Sequence, residues 1–327
     1  MQAVGYNGSE FVSFKKDLSG PMDRDLLVEI KAISMNPIDL KVKKTINADK
    51  QDPVILGFDA CGIVVDKGNK ACLFNVGDEV FYAGDVTRDG SNATHQLVDE
   101  RIVGAKPSSI SFEEAASLPL TGVTAWESLF HRLNINSEDK GKTILLIGAA
   151  GGVGSIAIQL AKQVEGLNVI ATASRDESRE WCKSMGADNV IDHNNIVEQF
   201  KVNELDPPDY ILCMGDPDEY FETMAEVIAP QGSICLLANA NRQYDINILK
   251  AKSTTMVWEM MFTRSMFKTH DMIKQHEILN EISGMIDNGK LKSTAMRRLS
   301  PINVENIAAA HNTIERGDMI GKLVISN

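Results

Sequence analysis

Over roughly the first hundred residues, apolar and polar positions alternate in short runs that Gly, Asp, Asn and Pro interrupt. Period-2 runs of this length predict strands. They span Leu26–Asn36, Ala60–Gly68, Gly77–Gly84 and His95–Val103. Residues 111–133, SFEEAASLPLTGVTAWESLFHRL, carry a helical period that Pro119 interrupts. From Thr143 the texture changes. TILLI predicts a strand, and the stretch on to Glu165 a helix. NVIATAS (Asn168–Ser174) predicts another strand, and DESREWCKSMG a helix stopped by Gly186. NVID, DYILCM (Asp209–Met214) and SICLLANA (Ser233–Ala240) continue the series. Apolar strands alternating with helices predict an α/β domain, a doubly wound parallel sheet covered on both faces. After about Met256 the composition is mixed again, with helical periods in HEILNEISGMIDNGKL and NVENIAAAHNTIERGD and a closing strand in GKLVIS.

The length of 327 residues suits about two domains. The texture changes divide the chain into residues 1–120, 121–256 and 257–327. With 33 basic and 45 acidic residues the net charge is −12, which disfavours nucleic acid or an anionic membrane as a general partner. No apolar run approaches a membrane span, and no secretory signal precedes the first strand, so the expected compartment is the cytoplasm. The five cysteines contain no C-x-x-C pair and read as small buried hydrophobes.

The strongest chemistry lies between the first apolar strand of the middle segment and its helix. The turn reads Gly148-Ala149-Ala150-Gly151-Gly152-Val153-Gly154. Small residues let the backbone approach a pyrophosphate, and the helix start offers free N–H groups to it. Ala150, Gly151, Gly152, Val153 and Gly154 are therefore candidate cofactor contacts. A dinucleotide site specific for NAD usually carries Asp or Glu at the end of the second strand. Here that position falls near Ala173, followed by Ser174 and Arg175, with Arg179 one helical turn on. A hydroxyl and guanidinium groups suit a 2′-phosphate, so the expected cofactor is NADP. The adjacent Asp176 pulls the other way. The plain alternative is that Ser174 with Glu177 forms a helix capping box and both arginines are solvated, a reading that can hold together with the phosphate one.

With these residues in place, the chain resembles the medium-chain dehydrogenase/reductase superfamily, and within it the zinc-free quinone oxidoreductase branch. The resemblance rests on SMNPIDLK (Ser34–Lys41), ILGFDACGIV (Ile55–Val64), GDEVFYAG, AASLPLTGVTAWESL (Ala115–Leu129), the glycine turn, MGADNVID and IGKLVIS. It covers essentially the whole chain. It implies a Rossmann domain inserted into a GroES-like, β-rich catalytic domain built from both chain ends, with a cleft between them and a homodimer or homotetramer.

The resemblance also implies where a catalytic zinc would be bound. Zinc-dependent members carry a Cys in the stretch matching SMNPIDL and a His in the stretch matching GFDACG. This chain has Asn36 and Phe58 there, and no Cys or His in SLPLTGVTAW, where a third ligand is expected. A catalytic zinc needs three protein ligands, so no family-type metal site is expected. A site of another kind, from His95, His131 or His193, stays open. Without a Lewis acid to polarise an alcohol, the suitable acceptor is already electrophilic: a small-molecule quinone or an α,β-unsaturated carbonyl.

For the acceptor, the resemblance places Asn36 in the substrate cleft, where its amide would donate to the acceptor oxygen; the plain alternative is a loop-tying Asn. Tyr82 offers a phenol that could donate to the acceptor or shape the cleft, but as a strand aromatic it reads rather as core packing. Asp39 and Asp59 read as loop-holding carboxylates. For the cofactor, the resemblance points to Thr124 beside the nicotinamide, His193 near the adenosine, and Lys322 near the cofactor. Asn239 follows a sheet strand at its carboxyl end, where cofactors sit. The expected function is NADPH-dependent reduction of a quinone or enone without zinc. A zinc alcohol dehydrogenase and a dinucleotide-binding sensor or structural protein without turnover are the alternatives.

Overall fold

The structure is a computed structural model describing residues 1–47 and 52–327. In chain order the strands are β1 (Gln2–Tyr6), β2 (Phe11–Lys15), β3 (Asp25–Ser34), β4 (Val54–Ile55), β5 (Ala60–Lys67), β6 (Glu79–Tyr82), β7 (His95–Asp99) and β8 (Val103–Ala105). Then come β9 (Thr143–Ile147), β10 (Asn168–Thr172), β11 (Asn189–Ile191), β12 (Tyr210–Cys213), β13 (Ser233–Leu236) and β14 (Thr255–Trp258), and finally β15 (Ala295–Leu299) and β16 (Lys322–Ser326). The chain divides into two compact units, 1–123 with 262–327, and 124–261. Composition alone suggests breaks at 120 and 256. The second break falls later because β14 is the sixth strand of the middle sheet.

The first unit is β-rich. Its larger sheet runs β15-β16-β3-β5-β6-β8. β3 pairs with β5 on one edge, and its other edge is shared by β7 along Asp25–Glu29 and β16 along Ala32–Ser34. β1 pairs with β2 and β4 in a separate three-stranded sheet. The alternation in β3, LLVEIKAIS, puts Leu26, Val28 and Ile30 inside, where they meet Val64, Val80 and other strand residues in two apolar clusters. Pro119 does split the predicted helix. A short helix, Phe112–Ala116, is capped reciprocally by Ser111 and Glu114, and a second begins with Pro119 in its first turn.

The second unit is a six-stranded parallel sheet in the order β11-β10-β9-β12-β13-β14. All five residues of β9 are buried, as a central strand covered on both faces requires. Ile170, Ile211 and Ile234 pack with Phe200, Phe221 and Met224 of two helices on one side. The strand order reverses between β9 and β12, and ligands of open α/β sheets bind at such switch points, beyond the carboxyl ends of the strands. The fold is thus α/β, with a Rossmann-type parallel sheet and a separate β-rich unit.

Candidate functional site

In the second unit, β9 runs into the glycine turn and then the helix Gly152–Ala161, whose N-cap is Gly151. Gly148 has φ +81°, a conformation that favours glycine, and its N–H donates to Thr172 Oγ1 at the end of β10 (3.1 Å). A Cβ on Gly154 would lie 2.3 Å from the Ala149 carbonyl oxygen, so only glycine lets helix and strand pack this closely. Gly148 is exposed and residues 150–153 are half-buried, so the turn is open to a ligand. Nearby, Met214 N–H donates to Ile147 O (3.0 Å) and brings the turn after β12 alongside. This is a backbone cradle at the sheet's switch point, and it fits a dinucleotide pyrophosphate.

Beyond β10, Ala173 is buried while Ser174 and Arg175 are exposed. No carboxylate ends the strand. The capping box suggested by Ser174 and Glu177 does not form: the helix Asp176–Ser184 is capped by Arg175, and its carbonyl accepts from Ser178 Oγ (2.8 Å). Arg179 differs from expectation. Its guanidinium donates to Ala173 O (3.0 Å) and Val190 O (2.7 Å), tying the ends of β10 and β11 together. Two of its five N–H donors are thus committed to the strand ends. His193 is half-buried and lines an open cavity of about 650 Å³ with Lys201, Glu219 and Tyr220. Asn239 is exposed beyond β13, and Thr124 is buried in the helix Pro119–Trp126.

The first unit holds a buried polar cluster. Asn36 is 1% exposed and caps the helix Pro37–Lys44. Its Nδ2 donates to Phe58 O (3.2 Å) and Asp59 Oδ2 (2.7 Å), and its Oδ1 accepts from Lys322 Nζ (2.5 Å). Both amide hydrogens are engaged, so Asn36 ties loops and offers no free donor to an acceptor oxygen in this arrangement. Asp59 also accepts from Ser34 Oγ (2.8 Å) and the Leu120 N–H (2.7 Å). Asp39 accepts from the N–H groups of Asn36 and Gly57, both at 2.9 Å. Burial pushes the Asp39 carboxyl up to about 7, against the opposing pull of those N–H groups and Lys322.

Lys322 is the largest departure from the sequence reading. It is 3% exposed, and its ammonium donates to Met35 O (2.6 Å), Asn36 Oδ1 and Asp59 Oδ2 (3.1 Å). All three donors are spent inside the first unit, so Lys322 offers none to a cofactor. Tyr82 takes the core reading rather than that of a donor in the cleft. It is fully buried on β6 among Leu26, Val64 and Val103, and its hydroxyl has no partner among the described residues. Its ring is core.

A zinc ion does not suit these residues. Phe58, which supplies no ligand atom, packs edge-on against Phe262 with ring centroids 5.7 Å apart. The Lys322 ammonium lies against both Asn36 Oδ1 and Asp59 Oδ2, where a metal ion would have to approach. Among the described residues no group of three or more His, Cys, Asp or Glu is arranged to hold a metal, His95, His131 and His193 included. No helix among them is long and apolar enough to cross a membrane.

Comparison with known proteins agrees with this architecture. Residues 22–125 match the alcohol dehydrogenase GroES-like domain, and residues 152–278 the zinc-binding dehydrogenase domain. The chain is 46% identical to a zinc-type alcohol dehydrogenase-like protein of Staphylococcus aureus, over 98% of this chain and 96% of that one. It is 30% identical to the 2-methylene-furan-3-one reductase of Solanum lycopersicum, over 98% and 76%. A solved structure from Rhizobium etli, provisionally described as a zinc-dependent alcohol dehydrogenase, superposes with a TM-score of 0.95 at 44% identity, covering 100% of this chain and 98% of that one. The chain belongs to the medium-chain dehydrogenase/reductase superfamily and is an oxidoreductase of that family.

Proposed function

We propose that the protein is an NADPH-dependent reductase of quinones or α,β-unsaturated carbonyls that works without catalytic zinc. The observation that carries this reading is the pair Asn36 and Phe58. Asn36 has both amide hydrogens and its Oδ1 engaged by protein partners and Phe58 has no ligand atom, so neither supplies a metal ligand that would activate an alcohol. A 2-methylene-furan-3-one, the compound named for the tomato relative, has its exocyclic double bond conjugated to a ketone, the kind of acceptor this reading needs.

When bound, reduced nicotinamide supplies a hydride from its C4. Ala150, Gly151, Gly152, Val153 and Gly154 would hold the pyrophosphate by backbone N–H groups. Ser174 and Arg175 would receive the 2′-phosphate. His193, Asn239 and Thr124 remain candidate contacts for the rest of the cofactor. For assembly we propose a homodimer through β14. It is an edge strand of its sheet, and Trp258 (47% exposed) and Met260 (41%) put apolar surface there.

Turnover of purified protein with a quinone and an enone, set beside metal analysis, tests the proposal. We expect NADPH oxidation that chelators leave unchanged. Alcohol oxidation that requires bound zinc would overturn it. NADPH binding with no turnover across the acceptor panel would favour the sensor alternative.

A further inference from the structure

We infer that the Lys322 ammonium is the resident cation of the first unit, filling an oxygen cage as a bound metal ion would. Lysine is almost never fully buried unless its charge is paired. Here a carbonyl oxygen, an amide oxygen and a carboxylate oxygen surround the ammonium, the ligand types that hard cations take. They come from the turn after β3 and from the residue before β5, whereas Lys322 begins β16. One charge thus joins segments 286 and 263 residues apart in sequence.

The cage holds its ammonium whichever cofactor or acceptor the protein uses. Removing one partner of a buried ion pair leaves the other charge uncompensated. Without the ammonium, the donors left to Asp59 among the described residues are the neutral Ser34 Oγ, Asn36 Nδ2 and Leu120 N–H. A cage of this kind, emptied of its side chain, should take up a small primary ammonium from solution.

The test is Lys322→Ala melted with n-propylammonium chloride, which restores the deleted atoms, or with tetramethylammonium chloride, which has no N–H donor. Lys322→Ala should lower Tm by about 10 °C. Only n-propylammonium should restore part of the loss, saturably, and it should leave the unaltered protein unchanged. Equal responses to the two salts would overturn the inference. Where Lys322→Ala yields no folded protein, Lys322→Met is compared with Lys322→Met/Asp59→Asn. The double variant should melt above the single one, because it carries no orphaned charge. A double variant no more stable than Lys322→Met would overturn it equally.

Discussion

The imidazole of His311 lies against the ring of Phe11, with centroids 4.6 Å apart and planes at 53°. His311 is 1% exposed, and neither ring nitrogen has a hydrogen-bond partner among the described residues. Lys43, whose ammonium sits over the Phe11 ring, adds like-charge repulsion. Burial, then Lys43, holds the imidazole down to about 4. Between pH 6.5 and 4 the unfolded chain binds the proton more readily. The contribution of His311 is therefore complete above about 6.5 and lost as pH falls toward 4, of order 3 kcal/mol at most. Denaturant unfolding of His311→Phe across that range should show this loss removed. An unaltered slope would disprove the assignment.

Asp39 has the opposite sign. Its folded-state carboxyl holds a proton up to about pH 7, where the unfolded chain releases it near 4. Its burial therefore costs stability increasingly as pH rises from 4 to 7. The two groups offset one another between 4 and 6.5. Asp39→Asn should consequently steepen the loss of stability on acidification, and His311→Phe should unmask a fall on alkalinisation. Variants with parallel pH profiles would contradict both.

Gly154→Val tests the cradle. Its side chain would collide with the Ala149 carbonyl, forcing helix and turn apart. We expect nucleotide affinity to fall more than about tenfold, read by fluorescence titration, with a Tm loss of several degrees.

Arg175 and Arg179 separate by cofactor and by stability. Arg175→Ala should weaken NADPH binding by roughly 10- to 100-fold and leave NADH binding unchanged, the loss of a charge-assisted contact. Arg179→Ala should instead lower Tm, because two strand-end carbonyls lose their donor. NADPH affinity insensitive to Arg175→Ala would refute the phosphate assignment.

Periodicity made the middle sheet legible, because a parallel strand buried on both faces is a continuous apolar run. Short elements with mixed faces escaped it, such as β1, β14 and the helix Pro37–Lys44. The helix Pro217–Val227 carried a readable signal, Asp216 as cap with Pro217 after it. The glycine turn was plain because its chemistry is local. The partners of Asn36 and Lys322 were not, since nothing in IGKLVIS states that its lysine reaches residues almost three hundred positions away. Tyr82 was ambiguous for a similar reason: a strand aromatic faces core or ligand according to neighbours supplied by other segments.

The division of the first unit between the two ends of the chain has a consequence for biosynthesis. Residues 124–261 are contiguous, so the ribosome delivers a complete sheet while β3 still lacks one of its neighbours. Until β16 emerges, Asp59 and Asn36 wait without their cation. The nascent chain thus carries an unfinished β-layer, exposed to mispairing, through the whole translation of the insert.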